Sequence, residues 1–545
     1  MSAGVPVALE PYRWLVVVVS VLVSLVVLAL LSGDDSRTGA VRSRLLHGVP
    51  WGTAITIGFV ASVYLFVQGG LAHPRQPLVI PFRSWSYFYP LGMVTAAFSH
   101  GSWSHVVGNL VGTVAYASVA EYAWGHYPRK RGVQTFTGWR TNPYARILAV
   151  PAVSILVGLL TALFALGPVV GFSGVVFAYA GFAIVQRPIL AILAVLGTRV
   201  LSLALSAVTN PRSVAVPRPR VVSPWWADIA IQGHAIGILA GILLAIALTR
   251  SREDWADPRR VWFALIAFAT FQGLWAMYLP ADGGRYVLFR WAGVSVVFLL
   301  ASIVVIAATR DEDIAVPSLG SVHKTIALSF VVVLLASLSG SAVFYNVAPI
   351  DQQPGPDRTV EVRDYSVGYA EDIPEGYINA ISVPIIDYSP QINTSGVIVT
   401  SPERYIWRTA VGPAQLENRG RVSVLVGGLG WRDRVVVNRT GWTMAGNTEA
   451  YKVSLRPEGE ARTLAFSSDP AEADPTIAGR NVSMRPTEEQ FEFVVSRRGE
   501  TVGTAAVPAN GTSVTAGGLT FRRNESRIFA IENQTRVQIA RRNGD

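Results

Sequence analysis

Apolar residues form ten long runs within the first 350 positions and short alternating runs after them. A run of about 20 apolar residues matches the hydrocarbon thickness of a bilayer at 1.5 Å per helical residue. The runs predict membrane spans near 14–32, 51–71, 103–123, 146–166, 173–186, 188–208, 233–249, 261–280, 287–308 and 326–348, the 173–186 run being short. From 350 onward, "RVSVLVGGLG", "DRVVVN", "YKVSL" and "FEFVV" alternate apolar and polar residues between Gly, Pro and Asn. That period predicts short strands, and roughly 190 residues of it predict one or two small β-sandwich or barrel domains.

Composition sharpens this picture. The chain has 545 residues, 51% of them hydrophobic, and a mean hydropathy of +0.38, which argues against an ordinary soluble domain. Residues 350–545 hold 22 basic and 24 acidic side chains, whereas residues 1–349 hold 24 and 12. The positive excess therefore belongs to the apolar part. There it reads as a topology signal rather than a nucleic-acid surface, and no nucleic-acid partner is expected.

The basic loops are 33–50 with Arg37, Arg42 and Arg44, 124–145 with Arg129, Lys130, Arg131 and Arg140, the turn at Arg187, and 250–260 with Arg250, Arg252, Arg259 and Arg260. They alternate with 72–102, 167–172, 209–232 and 281–286, so they predict one cytoplasmic side and both termini outside. Arg212, Arg218 and Arg220 stand in the opposite set, so the rule holds in bulk. N-x-[ST] acceptors at Asn393, Asn438, Asn481, Asn510, Asn524 and Asn533, with none in the first 349 residues, agree with an external tail that carries N-glycans. The stretch 14–32 lacks a small-residue cleavage site and reads as a retained helix. There is no Cys, which excludes disulfides and thiolate metal sites.

Ionisable and amide side chains inside spans are costly and default to functional hypotheses. The chain offers His100, His105, Asn109, Glu121 and His234, joined by Ser173 between Gly171 and Gly174. His105 and Asn109 are four apart, hence on one helix face. Ser173 and His234 each open a span after an outer loop, so these four groups share one depth. Glu121 falls about 18 Å deeper, toward the inner end.

Gly237 and Gly241 follow His234 in a small-residue row, and Gly174 and Gly181 mark the other helix. Such rows let backbones approach closely. That contact would bring Ser173 Oγ to a ring nitrogen of His234, the arrangement of an activated nucleophile. His105 and Asn109 would then be donors toward a developing oxyanion. Residue by residue, structural alternatives stay open: a serine bonded to its i−4 carbonyl, a packing histidine, glycine rows used only for contact. No HExxH and no acidic third ligand lie at that depth, so neither a metal nor a cofactor is expected.

Together the motifs resemble the rhomboid family of intramembrane serine proteases. "HGSWSHVVGN" is similar to the second core helix's His-x4-His-x3-Asn, with Glu121 where that helix usually carries Glu. "GFSGVVFAYAGF" resembles the Gly-x-Ser-Gly motif of the fourth core helix, and "GHAIGILAG" the sixth helix's His-x2-Gly-x3-Gly. The resemblance covers roughly residues 50–250. It implies a six-helix bundle with an outward-opening, water-filled cavity, a Ser173–His234 dyad without a third carboxylate, and oxyanion contacts from His105, Asn109 and the Ser173 N–H. It also implies substrates that are transmembrane segments of other proteins, cut near their outer end. Gly171, Gly174, Phe177, Gly237 and Gly241 would shape the site. Two positions depart from the family: Phe177 stands where a Tyr often stacks on the histidine, and Arg83 and Trp85 reverse the usual Trp-Arg order of the first outer loop.

The expected architecture is an all-α polytopic membrane protein with a C-terminal extracytoplasmic all-β region. Residues 1–49 hold an extra helix and a basic loop, 50–250 the rhomboid-like core, 251–349 three additional spans, and 350–545 the β region. The six-helix core thus gains about four extra helices. The three additional spans have no charge in their interiors and read as packing or lipid-facing helices. If the β region is a separate recruiting or shielding module, a chain ending near Arg310 should keep the site. The β region contains no His, which argues against a second hydrolase site there. The expected function is a serine endopeptidase of the cell membrane, with the lipid bilayer and membrane-protein substrates as partners. A catalytically silent membrane-protein binder of the same fold is the alternative, and an ion or proton transporter a more distant one.

Overall fold

In the computed structural model of the chain, residues 12–32, 35–127, 136, 138–209, 230–249, 256–281, 285–309, 321–380 and 392–542 are described. They form two compact units, Met1–Asn346 and Val347–Asp545. Of the basic loop residues, Arg129, Lys130, Arg131, Arg212, Arg218, Arg220, Arg250 and Arg252 lie outside the described residues.

The first unit is helical. Helix α1 spans Arg13–Ser32 and α2 spans Asp35–Arg44. Helix α3 spans Trp51–Ser62 and runs on through a π turn at Val63–Val67. The short α4 covers Pro90–Thr95. Helix α5 covers Trp103–Gly112, passes a π turn at Thr113–Ala117 and continues over Ser118–Trp124. Then come α6, Pro143–Leu163, α7, Ser173–Gln186, α8, Pro188–Thr209, and α9, Ile231–Thr249. Starts are written in the sequence: Ser102 caps α5, and Asn142 before Pro143 caps α6, each side chain accepting from a first-turn N–H.

Helix α7 is the centre of the bundle. Every residue in it except Ser173 and Tyr179 is buried, as befits a helix apolar on all faces. Helices α5, α6, α8 and α9 pack around it. Among the described residues, five helical segments are long and apolar enough to cross a membrane: Pro143–Leu163, Pro188–Val208, Ile231–Leu248, Arg290–Ala308 and Val322–Gln352. Trp14–Ser24, Trp51–Val67 and Ser173–Gln186 are apolar but shorter.

Among the described residues of this unit, three further helices follow: α10, Pro258–Phe271, α11, Arg290–Ala308, and α12, Ser321–Asn346. They form an arc, α10 packing on α8 and α7, α11 on α10, and α12 on both α11 and α9. The span expected at 261–280 is corrected here. Helix α10 stops at Phe271, and Gly273 follows with φ +72°, a left-handed turn suited to glycine. Strands β1, Tyr278–Ala281, and β2, Arg285–Leu288, then pair antiparallel. The apolar run hid the turn because a strand and a helix can share one hydropathy.

The second unit is almost all β and wholly antiparallel in its named strand pairs. Strands β3, Thr359–Val362, β4, Tyr365–Pro374, β5, Asn393–Ser401, and β6, Ile406–Val411, form one sheet in that order. An eight-stranded sheet runs from β7, Arg421–Gly428, β8, Trp431–Met444, β9, Glu449–Pro457, and β10, Thr463–Ser467, to β15–β18 at 513–542. Strands β11–β14, over 471–506, make a third sheet. Alternation sets the faces: Val422, Val424 and Val426 of β7 point inward. The third sheet faces the eight-stranded one, with Phe493 stacked on Phe521 at 4.2 Å between ring centroids.

Candidate active site

Ser173 is the first residue of α7, so its N–H has no acceptor within the helix. The turn before it depends on Gly171, whose φ of +131° L side chains rarely adopt. The Gly171 N–H donates to Ala96 O at 2.9 Å, which fixes the turn against the end of α4.

Helix α9 meets α7 backbone to backbone. A Cβ on Gly237 would stand 2.1 Å from the Gly174 carbonyl oxygen, and one on Gly181 would stand 2.4 Å from the Ile238 oxygen. Only glycine allows this approach, the small-residue packing described for membrane helices. At its upper end it places His234 Nε2 2.8 Å from Ser173 Oγ, normal hydrogen-bond range. Both side chains are partly exposed. His234 Nδ1 is buried and has no hydrogen-bond partner among the described residues. Phe177, one turn along α7 from Ser173, lies flat on His234 with ring centroids 4.1 Å and planes 14° apart. The Phe thus makes the stack on His234 that a Tyr often makes at this position in the family.

His105 and Asn109 converge on Gly171. A Cβ there would stand 2.7 Å from His105 Nε2 and 3.6 Å from Asn109 Nδ2. Asn109 Nδ2 is buried without a partner among the described residues, an amide donor left free beside the serine turn. His105 Nδ1 accepts the Gly101 N–H at 3.4 Å. His100 sits behind it, edge-on to His105 at 5.1 Å.

Glu121 lies elsewhere and is structural. Its Oε1 accepts the Gly52 N–H at 2.8 Å, and its Oε2 accepts the Thr53 N–H and hydroxyl, each at 2.7 Å. It thus caps the start of α3, where free N–H groups favour an anion. His126 Nε2 bonds Glu121 Oε1 at 2.6 Å, and His126 Nδ1 accepts the Leu46 N–H at 2.8 Å.

Two positioning amides escaped the sequence reading. Gln68 holds the loop before α5 by donating to Leu78 O and His100 O and accepting the His100 N–H. Gln232, two residues before His234, donates to Phe164 O and to Leu338 O of α12, and accepts the Leu166 N–H. Gln68 lies inside the 51–71 run, where the rule that flags amides in spans applies, whereas Gln232 stands one residue before the 233–249 run. The loop holding Arg83 and Trp85 is also fixed: Arg83 Nη1 donates to Pro168 O at 2.8 Å, and Trp85 Nε1 to Ile80 O at 2.7 Å. The reversed order therefore still yields an anchored loop.

A serine hydroxyl on an imidazole nitrogen, beside free amide donors, is an arrangement able to attack a carbonyl and hold the charge that develops. No curated protein and no solved structure matches the chain. Residues 87–251 match the family model of the Rhomboid domain. That region contains all four polar site residues and the α7–α9 contact, and by this match it is a Rhomboid domain.

Proposed function

We propose that the chain is an intramembrane serine endopeptidase that cuts transmembrane segments of other membrane proteins near one end. The observation that carries this reading is the 2.8 Å contact between His234 Nε2 and Ser173 Oγ. His234 takes the Ser173 proton as Oγ attacks the scissile carbonyl. Asn109 Nδ2, His105 and the Ser173 N–H face the oxyanion of the tetrahedral intermediate. The imidazolium then protonates the leaving amine, giving an acyl-enzyme and one new N-terminus. Water, deprotonated by His234, releases the acyl group as a carboxylate and restores the serine. The Oγ–Nε2 pair needs no metal or cofactor for any of these steps.

The basic loops and the six acceptors support a sidedness in which this site and residues 347–545 lie outside the cytoplasm. Asn393, Asn481, Asn510, Asn524 and Asn533 are exposed and Asn438 is half-buried, which supports N-glycans at most of them. A serine-reactive fluorophosphonate probe tests the central reading on purified protein. Wild type should label, and Ser173→Ala and His234→Ala should not. A wild type that never labels would make the chain a silent, membrane-protein-binding relative.

A further inference from the structure

We propose that Phe268, on the accessory helix α10 and beyond the matched domain, is a positioning residue for His234, acting through Phe177. Its effect on turnover rests on the protease reading above; its effect on the ring packing does not.

A catalytic histidine is ordinarily oriented by a third group bonded to its other ring nitrogen. Here that nitrogen, Nδ1, has no hydrogen-bond partner among the described residues. The ring plane is instead set by the Phe177 stack. Phe177 is in turn held by Phe268, whose ring stands edge-on to it at 5.1 Å and 77°. The far side of Phe268 meets Tyr116 in the π turn of α5, again edge-on, at 5.7 Å and 81°. Such offset geometry is the preferred one for aromatic pairs. Phe268 therefore links the helix that carries Ser173 to the helix that carries His105 and Asn109.

Helix α10 is built to deliver this ring. Asp257 caps its start, accepting from the Arg259 and Arg260 N–H groups. Val261, Ala264, Leu265 and Phe268 form its buried stripe, and Phe268 is 1% exposed. At its end, Arg199 of α8 donates to Phe271 O. The core helices alone would leave Phe177 without this aromatic neighbour.

The test uses the full chain in lipid nanodiscs and two readouts. One is the fluorophosphonate labelling rate at Ser173. The other is the ring-proton shift of His234 by NMR, assigned through its loss in His234→Asn, which senses the Phe177 ring current without any catalysis. Phe268→Ala should slow labelling roughly 10–100-fold, the scale of a small misplacement in a catalytic site, and should move the His234 signal toward its unstacked position. Phe268→Leu, which keeps bulk but not the flat ring, should do the same to a smaller degree and guards against a misfolded alanine variant. Leu265→Ala, a cavity one turn earlier on the same stripe, should lower stability and leave both readouts near wild type. In a Phe177→Ala background, Phe268→Ala should add nothing further. An unmoved His234 signal in Phe268→Ala and Phe268→Leu, equal effects from Leu265→Ala, or full additivity with Phe177→Ala would each overturn the inference. A wild type that fails to label would remove the protease reading alone, because the His234 signal still decides this one.

Discussion

Gly241 of α9 lies so close to α7 that a Cβ there would stand 1.9 Å from the carbonyl oxygen of Ala178. The neighbour is backbone within a helix, so it cannot yield as a flexible side chain would. Gly241→Ala must push the helices apart, and with them the His234–Ser173 contact two turns away. We expect labelling of Ser173 to fall at least about tenfold, since misplacement of this kind is costly in a catalytic pair. Gly197→Ala, where nothing lies within 4 Å of the added carbon, is the control and should label normally.

Asn109 offers a free amide toward the turn at Gly171. If it holds the oxyanion, Asn109→Ala should lower kcat by about 10–10³-fold with a smaller change in KM, the loss typical of one missing donor. Steady-state cleavage of a model transmembrane substrate measures both. An unchanged kcat would leave Asn109 a packing residue.

The sequence led us to expect that a chain ending near Arg310 keeps the site. The structure revises this. Helix α12 supplies Leu338 O to Gln232 and Asn346 O to Ser86 Oγ and the Tyr87 N–H, while Asn346 Nδ2 donates to Leu163 O. Cutting at 310 removes all of these and uncovers one side of α9. We expect the shortened chain to label more slowly than wild type, whereas a chain ending near 350 should keep the wild-type rate. The labelling rates of the two chains, compared after matching their thermal midpoints, decide this.

In the second unit, Tyr369 and Tyr451 both donate to Glu371 Oε1, joining β4 to β9. Burial, then the bond to Glu371, pushes the Tyr451 phenol up to about 12, and Tyr369 is raised as well. A raised phenol binds its proton more tightly folded than unfolded. Its contribution is therefore full below the ordinary phenol value of about 10 and is lost as pH rises toward about 12. Urea midpoints read by tryptophan fluorescence should fall across that window in wild type. Tyr451→Phe should flatten the fall, and an identical pH profile would place the titration elsewhere.

Local pattern made much of this protein legible. Residues four apart on a helix share a face whatever surrounds them, so His105 and Asn109 could be paired from sequence. Glycine rows can only mean close backbone approach or flexibility, which is why Gly174, Gly181, Gly237 and Gly241 pointed to a contact between two helices. Alternation along β7 and its neighbours announced strands because side chains in a strand change faces at every step. The order of the Rhomboid motifs was likewise written in the chain.

What the sequence could not fix depends on which distant elements meet. Glu121 looked like any carboxylate in an apolar run until α3 presented its free N–H groups to it. Phe268 was one aromatic among many in 261–280, and no periodicity says that its ring ends against Phe177. Gln232 gained its third partner only because α12 folds back onto α9. Hydropathy also could not separate the end of α10 from the β1–β2 hairpin. Composition and spacing set which residues can act; tertiary packing alone chooses their partners, because a contact between residues far apart in the chain has no signature in either one's neighbours.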